Sequence, residues 1–136
     1  MTPDPNRGVI IPFDELEHSR HSHEFVGAEH LGVPFCVILV HSAPGVGPKL
    51  HRHPYPEVFI VEAGEATFRI GEERVVVAAG HVVVSPAGEA HGFTNTGSDQ
   101  LRLTAIHGAS RFTTEWLAGD DPVWRSTPKP NPKPNP

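Results

Sequence analysis

At 136 residues, with 38% hydrophobic residues and a formal net charge of −5, the chain has the size of one domain able to bury a core without covalent staples. It shows no basic patch of the kind a nucleic-acid partner needs, and no apolar run approaches membrane-spanning length. The single cysteine, Cys36, excludes an internal disulfide framework and a cysteine-based zinc knuckle.

Residues 1–29 read as an N-terminal arm followed by the first strand or strands. The opening "MTPDPNRGVIIPF" has no basic segment followed by an apolar run, so a secretory signal is not expected and the default location is the cytoplasm. "FDELEHS" (13–19) is a short helix candidate. "HSRHSHEF" (18–25) carries His18, His21 and His23. His21 and His23 have a ligand-like spacing, but no framework of carboxylate and glycines surrounds them, and they read as solvated.

From residue 30 to 118 the pattern is strand after strand. "PFCVILVH" (34–41), "EVFIVEAG" (57–64), "EATFRIG" (65–71), "RVVVAAG" (74–80), "HVVVSPAG" (81–88), "HGFTNTG" (91–97) and "LRLTAIHG" (101–108) are short and rich in β-branched and aromatic residues. Nearly all end at a glycine-containing breaker. Regular short strands of this kind predict an all-β sandwich or barrel. "FTTEWLAG" (112–119) is the second helix candidate, with Trp116 and Leu117 as a packing anchor or a dimer surface. The stretch 119–136 ends in "TPKPNPKPNP", which predicts an extended, polyproline-like tail outside the fold.

The segment from Gly45 to Gly64, "GVGPKLHRHPYPEVFIVEAG", concentrates the chemistry. His51, His53 and Glu57 share one parity along an extended chain, so their side chains point to one face if a bend at Pro54 and Pro56 restores the register. Downstream, "GHVVVSPAGEAHGFTN" ends one strand at Pro86-Ala87-Gly88 and begins the next at His91. If the two segments are neighbours lining one barrel, His91 meets the first three.

These two segments resemble the motifs of the cupin superfamily. The first motif is matched by Gly45, His51, His53, Glu57 and Gly64, and the second by Gly80, Pro86, Gly88, His91 and Asn95, fifteen residues apart. The resemblance, over about residues 30–112, implies a double-stranded β-helix, or jelly-roll barrel. It also implies one divalent metal held by His51, His53, Glu57 and His91. Iron, manganese, nickel, copper and zinc all suit three imidazoles and a carboxylate. Small single-domain cupins commonly dimerise, so a homodimer is expected too.

The remaining candidates follow from parity. Phe59, Phe68, Phe93, Val61 and Leu103 are expected to line the interior. Tyr55, between the two prolines, is a candidate pocket wall or donor. His41 shares a face with Phe35, Val37 and Leu39, and His107 with Leu101, Leu103 and Ala105. If those are inner faces, both histidines stand near a barrel end as acid/base or supporting groups. Cys36 lies on the opposite face from the His41 set and reads as a small buried hydrophobe. The family spans dioxygenases, isomerases, decarboxylases, lyases and cyclases. A metal-dependent dioxygenase acting on a small molecule is the leading expectation, with Glu57, His41, His107 and Tyr55 as its catalytic candidates. Lewis-acid isomerisation, cyclisation or elimination at the same site, and a non-catalytic binder of a small molecule or metal, are the alternatives.

Overall fold

The computed structural model describes residue 4 and residues 6–117. The proline-rich tail expected over 119–136 lies outside the described residues. Among the described residues eleven strands occur in the order β1 (Glu17–His18), β2 (Ser22–Val26), β3 (Cys36–Ser42), β4 (His51–Arg52), β5 (Glu57–Ala63), β6 (Glu65–Ile70), β7 (Glu73–Ala78), β8 (His81–Ser85), β9 (His91–Asn95), β10 (Leu101–His107) and β11 (Glu115–Trp116). They form two antiparallel sheets, ordered β1-β2-β3-β10-β5-β8 and β11-β4-β9-β6-β7. Non-consecutive strands pair within each sheet, and the chain passes repeatedly from one sheet to the other. That is the winding of a double-stranded β-helix.

All seven long strands expected from the sequence are present, most of them ending a residue or more earlier. The two helix candidates are not helices. In 13–19, Phe13–Glu15 is one 3-10 turn and Glu17–His18 is β1; in 112–119, Glu115–Trp116 is a strand paired to β4. Neither stretch carries an apolar stripe long enough to sustain helical turns against water. In both, pairing with a neighbouring strand supplies the backbone partners instead. Among the described residues no helix is long and apolar enough to cross a membrane.

The core lies between the sheets. Phe59, Val61, Phe68, Phe93, Leu101, Leu103 and Ala105 are all 4% exposed or less, and Phe59, Phe68 and Phe93 pack as an aromatic triangle with ring centroids 5.1–5.9 Å apart. Alternation sorts each strand: Leu101, Leu103, Ala105 and His107 of β10 point inward, and so do Glu57, Phe59 and Val61 of β5. In β3 the inward set is Cys36, Ile38, Val40 and Ser42, so Val37, Leu39 and His41 face outward. Gly47 permits a close crossing. A Cβ there would lie 1.9 Å from the Phe93 carbonyl oxygen, so only hydrogen fits between the β3–β4 loop and β9.

Candidate metal centre

The bend expected at Pro54 and Pro56 is the loop from β4 into β5. β4 ends at Arg52 and β5 begins at Glu57, so Pro54 and Pro56 lie where no ladder amide is required. Two amides from elsewhere pin the loop. Gly88 donates to the His53 carbonyl at 2.8 Å, and Gly108 donates to the Pro56 carbonyl at 3.0 Å. Gly88 has φ of +84°, which lets the Pro86–Gly88 turn present its amide to the first motif.

This framework brings His51, His53, Glu57 and His91 together, with one ligand atom from each inside a 4.8 Å circle and every side chain buried. His51 and His91 stand opposite each other in the β4–β9 register. The outer nitrogen of each histidine is committed to a backbone carbonyl. Nδ1 of His51 donates to Lys49 O at 2.6 Å, that of His53 to Thr113 O at 2.9 Å, and that of His91 to Glu89 O at 3.0 Å. With the hydrogen on Nδ1, a neutral imidazole turns a bare Nε2 lone pair inward. Glu57 Oε1 lies 2.9 Å from Nε2 of His91 and 3.1 Å from Nε2 of His53, and His53 Nε2 has no hydrogen-bond partner. Acceptors thus face acceptors in a buried space, an arrangement that needs a proton or a cation at its centre. The donor set fits a divalent transition ion.

The electrostatics follow from that crowding. Burial pushes the His51 imidazole down to about 4. Burial also opposes charge on His53, but the Glu57 carboxylate and the Thr113 carbonyl outweigh it and raise this group. Burial likewise pushes Glu57 upward, yet without an ion a hydrogen shared across the His91 and His53 Nε2 contacts, together with the His107 side, holds it well below the usual carboxylate range.

His107 and Tyr55 adjoin the cluster. Both are buried, and His107 Nε2 lies 2.9 Å from Glu57 Oε2, off the line of a well-directed hydrogen bond. The Thr113 amide can only donate, so the Tyr55 hydroxyl accepts from it at 3.3 Å and gives its own hydrogen to His107 Nδ1 at 2.8 Å. The His107 proton therefore sits on Nε2, the reverse of the three cluster histidines. His107 is a donor beside Glu57, not a fourth lone pair. Burial pushes the Tyr55 phenol up to about 12, so it stays protonated in this role.

His41 is not brought to the cluster. It lies on the outer face of β3, with Nε2 3.2 Å from His23 Nδ1, in a surface group with His18 and Phe13. Partial burial and His23 lower its proton affinity. The parity argument grouped His41 correctly with Val37 and Leu39, but that set faces out; β3 is apolar on both sides, so alternation alone could not tell the faces apart.

Sequence reasoning missed the strap from Phe112 to Trp116. It supplies the Thr113 carbonyl to His53, the Thr113 amide to Tyr55, and the Trp116 ring 4.8 Å from that of His51. The strap and β2 together close a cavity of about 390 Å³ in front of the cluster, walled by Ile38, Val40, Phe59, Phe93 and Phe112. His21, read from the sequence as solvated, is also in its wall. Ser22–Val26 shows no apolar–polar alternation and is half-buried throughout, so no local pattern marked β2 as a wall of the cavity.

Among solved structures, the chain is similar to a conserved protein with a double-stranded β-helix domain from Klebsiella pneumoniae, at 20% identity and a TM-score of 0.62 over 83% of this chain and all of that one. It is also similar to an oxalate oxidase, at 23% identity and a TM-score of 0.63 over 85% of this chain and 60% of that one. A predicted oxalate decarboxylase from Thermotoga maritima is 29% identical, with a TM-score of 0.50 over 55% of this chain and 64% of that one. This chain thus spans less than two thirds of either oxalate-enzyme chain. The search of curated proteins found no match. A family model described as a cupin domain matches residues 38–107, just over half of the 136 residues and the part that carries all four cluster side chains, and the chain accordingly belongs to the cupin family.

Proposed function

We propose that this chain is a metal-dependent enzyme that holds one divalent ion through His51, His53, Glu57 and His91 and acts as a dioxygenase on a small, partly apolar organic molecule. The observation that carries the reading is the convergence of inward Nε2 lone pairs on a buried carboxylate oxygen, with each Nδ1 held by a backbone carbonyl. Such an ion supplies Lewis acidity and, when redox-active, electrons for dioxygen. The chain's own residues do the rest. His107 and Tyr55 hold Glu57 from its Oε2 side, and Phe59, Phe93 and Phe112 keep the cavity dry and shape it around a substrate. The names of the oxalate oxidase and the predicted oxalate decarboxylase support a small-molecule substrate, while neither their substrate nor their reaction is carried over.

The experiment is metal analysis of protein purified without a chelating tag, followed by oxygen-electrode assays with phenols and diketones. Iron or manganese near one per chain, with oxygen uptake, is the expected result. Zinc or nickel with no uptake would remove the dioxygenase and leave Lewis-acid isomerisation, cyclisation or elimination. A stoichiometric metal with no turnover of any kind would leave a binding protein. The reading includes a homodimer, supported by an apolar outer face on the six-stranded sheet. There Val84, Val58, Ile106, Val37 and Phe25 are register partners in one row, and Val82 and Val84 on the edge strand are 56% and 60% exposed.

A further inference from the structure

The inner face of the six-stranded sheet is graded in chemistry from one edge to the other. At the level of Phe59 the register reads Glu24 on β2, Ile38 on β3, Ala105 on β10 and Phe59 on β5. One level nearer the barrel end it reads Val26, Cys36, His107 and Glu57. Glu57 and Glu24 thus sit on strands three spacings apart, about 14 Å measured along the sheet. Between them the cavity wall is apolar at the level of Phe59, where Ile38 and Ala105 line it, and carries His107 at the level of Glu57. At its far wall β2 and the residue before it add His21, Ser22 and Glu24. Among the described residues, no lysine or arginine lines the cavity at all. The Glu24 carboxyl is half-buried there; burial and then Glu17 raise it, by more than His107 lowers it.

A wall of this kind selects by charge. A carboxylate at the far end would meet Glu24 with no lysine or arginine to answer it, and would lose hydration to the apolar side chains of Ile38, Val40 and Phe112. A hydroxyl or an amine would find an acceptor. We propose that the cavity takes an elongated, mainly hydrocarbon molecule bearing a hydroxyl or amino group at the end away from the histidine cluster, and that Glu24 is the residue that receives this group. The proposal rests on the metal reading for the near end of the molecule and on β2 for the far end. It places the substrate outside the small dicarboxylates.

Three probes test it on the metal-loaded full chain: 1-phenylimidazoles carrying a para hydroxymethyl, aminomethyl or carboxylate group. Each offers the same nitrogen and ring, and the rigid body keeps the tail from reaching the metal. Metal per chain is measured first, and dissociation constants follow by calorimetry. The hydroxymethyl and aminomethyl probes are expected to bind roughly tenfold or more tightly than the carboxylate. Glu24→Gln should shrink that gap to about threefold or less, and Glu24→Lys should reverse it. A carboxylate probe that binds wild type as tightly as the others, or a gap untouched in Glu24→Gln, overturns the proposal. A wild-type chain that takes up no metal overturns the metal reading alone, and the order of the three probes on that chain still decides the role of Glu24.

Discussion

At the scale of single residues, the chemistry rests on which nitrogen of each histidine carries the hydrogen. Three backbone carbonyls settle this for His51, His53 and His91, and a phenol settles it the other way for His107. His51→Ala should therefore abolish metal retention, as read by elemental analysis after dialysis. Tyr55→Phe removes one oxygen from the relay and is expected to cost about 1–2 kcal/mol in thermal or urea melts while the metal stays bound. The metal-free protein should lose stability in acid. His51 binds its proton less well folded, near 4, than at its ordinary 6.5, so between those values the unfolded chain holds more protons. Its contribution is complete above about pH 6.5 and fades as pH falls toward 4. Glu57, held low, withdraws its own contribution below its ordinary 4.5, whereas His53, raised, stabilises most at low pH and less as pH climbs past 6.5. Melting temperatures across this range should fall on the acid side; a flat profile from pH 7 to 4 would contradict the buried neutral His51. The residues that carry the four-member cluster were legible because glycine, histidine and glutamate stand at set intervals. Tyr55 and His107 were legible only as candidates, since nothing local tells a buried strand-end histidine from a solvated one. His41 shows the cost of that ambiguity.

At the scale of elements, the seven long strands were readable from β-branched runs between glycines, and the short ones were not. β4 and β11 have two residues each and exist because they pair with each other and with β9. No propensity over two residues competes with such pairing. The Arg52–Glu115 ion pair across them is solvated and adds little. The strap matters instead through Thr113. Deleting residues 112–117 should leave a folded barrel whose metal affinity is weaker by about tenfold or more, because His53 loses the acceptor that orients it. Competition with a chelator measures this. Gly47→Ala tests the opposite end of the site. A methyl group cannot enter 1.9 Å from a carbonyl oxygen, so the β3–β4 loop and β9 must move apart. A loss of about 3 kcal/mol or more is expected in denaturant melts.

At the scale of the whole molecule, the outer face of the larger sheet should bring two copies together. Light scattering is expected to give twice the 14.8 kDa chain mass, and Val82→Lys with Val84→Lys should give a monomer that keeps its metal. The cluster itself has a consequence of another kind. Its members come from β4 and β9 in one sheet, β5 in the other and the loop between β4 and β5, up to forty positions apart in the chain. A nascent fragment that ends before His91 can offer only the His51, His53 and Glu57 part of it, so an ion held by all four would be taken up late, when the polypeptide has already wound on itself. Since the histidine and carboxylate donors discriminate poorly among divalent ions, whichever one is freely exchangeable where winding finishes becomes the resident. The same gene product made in two cellular settings would then carry two different ions.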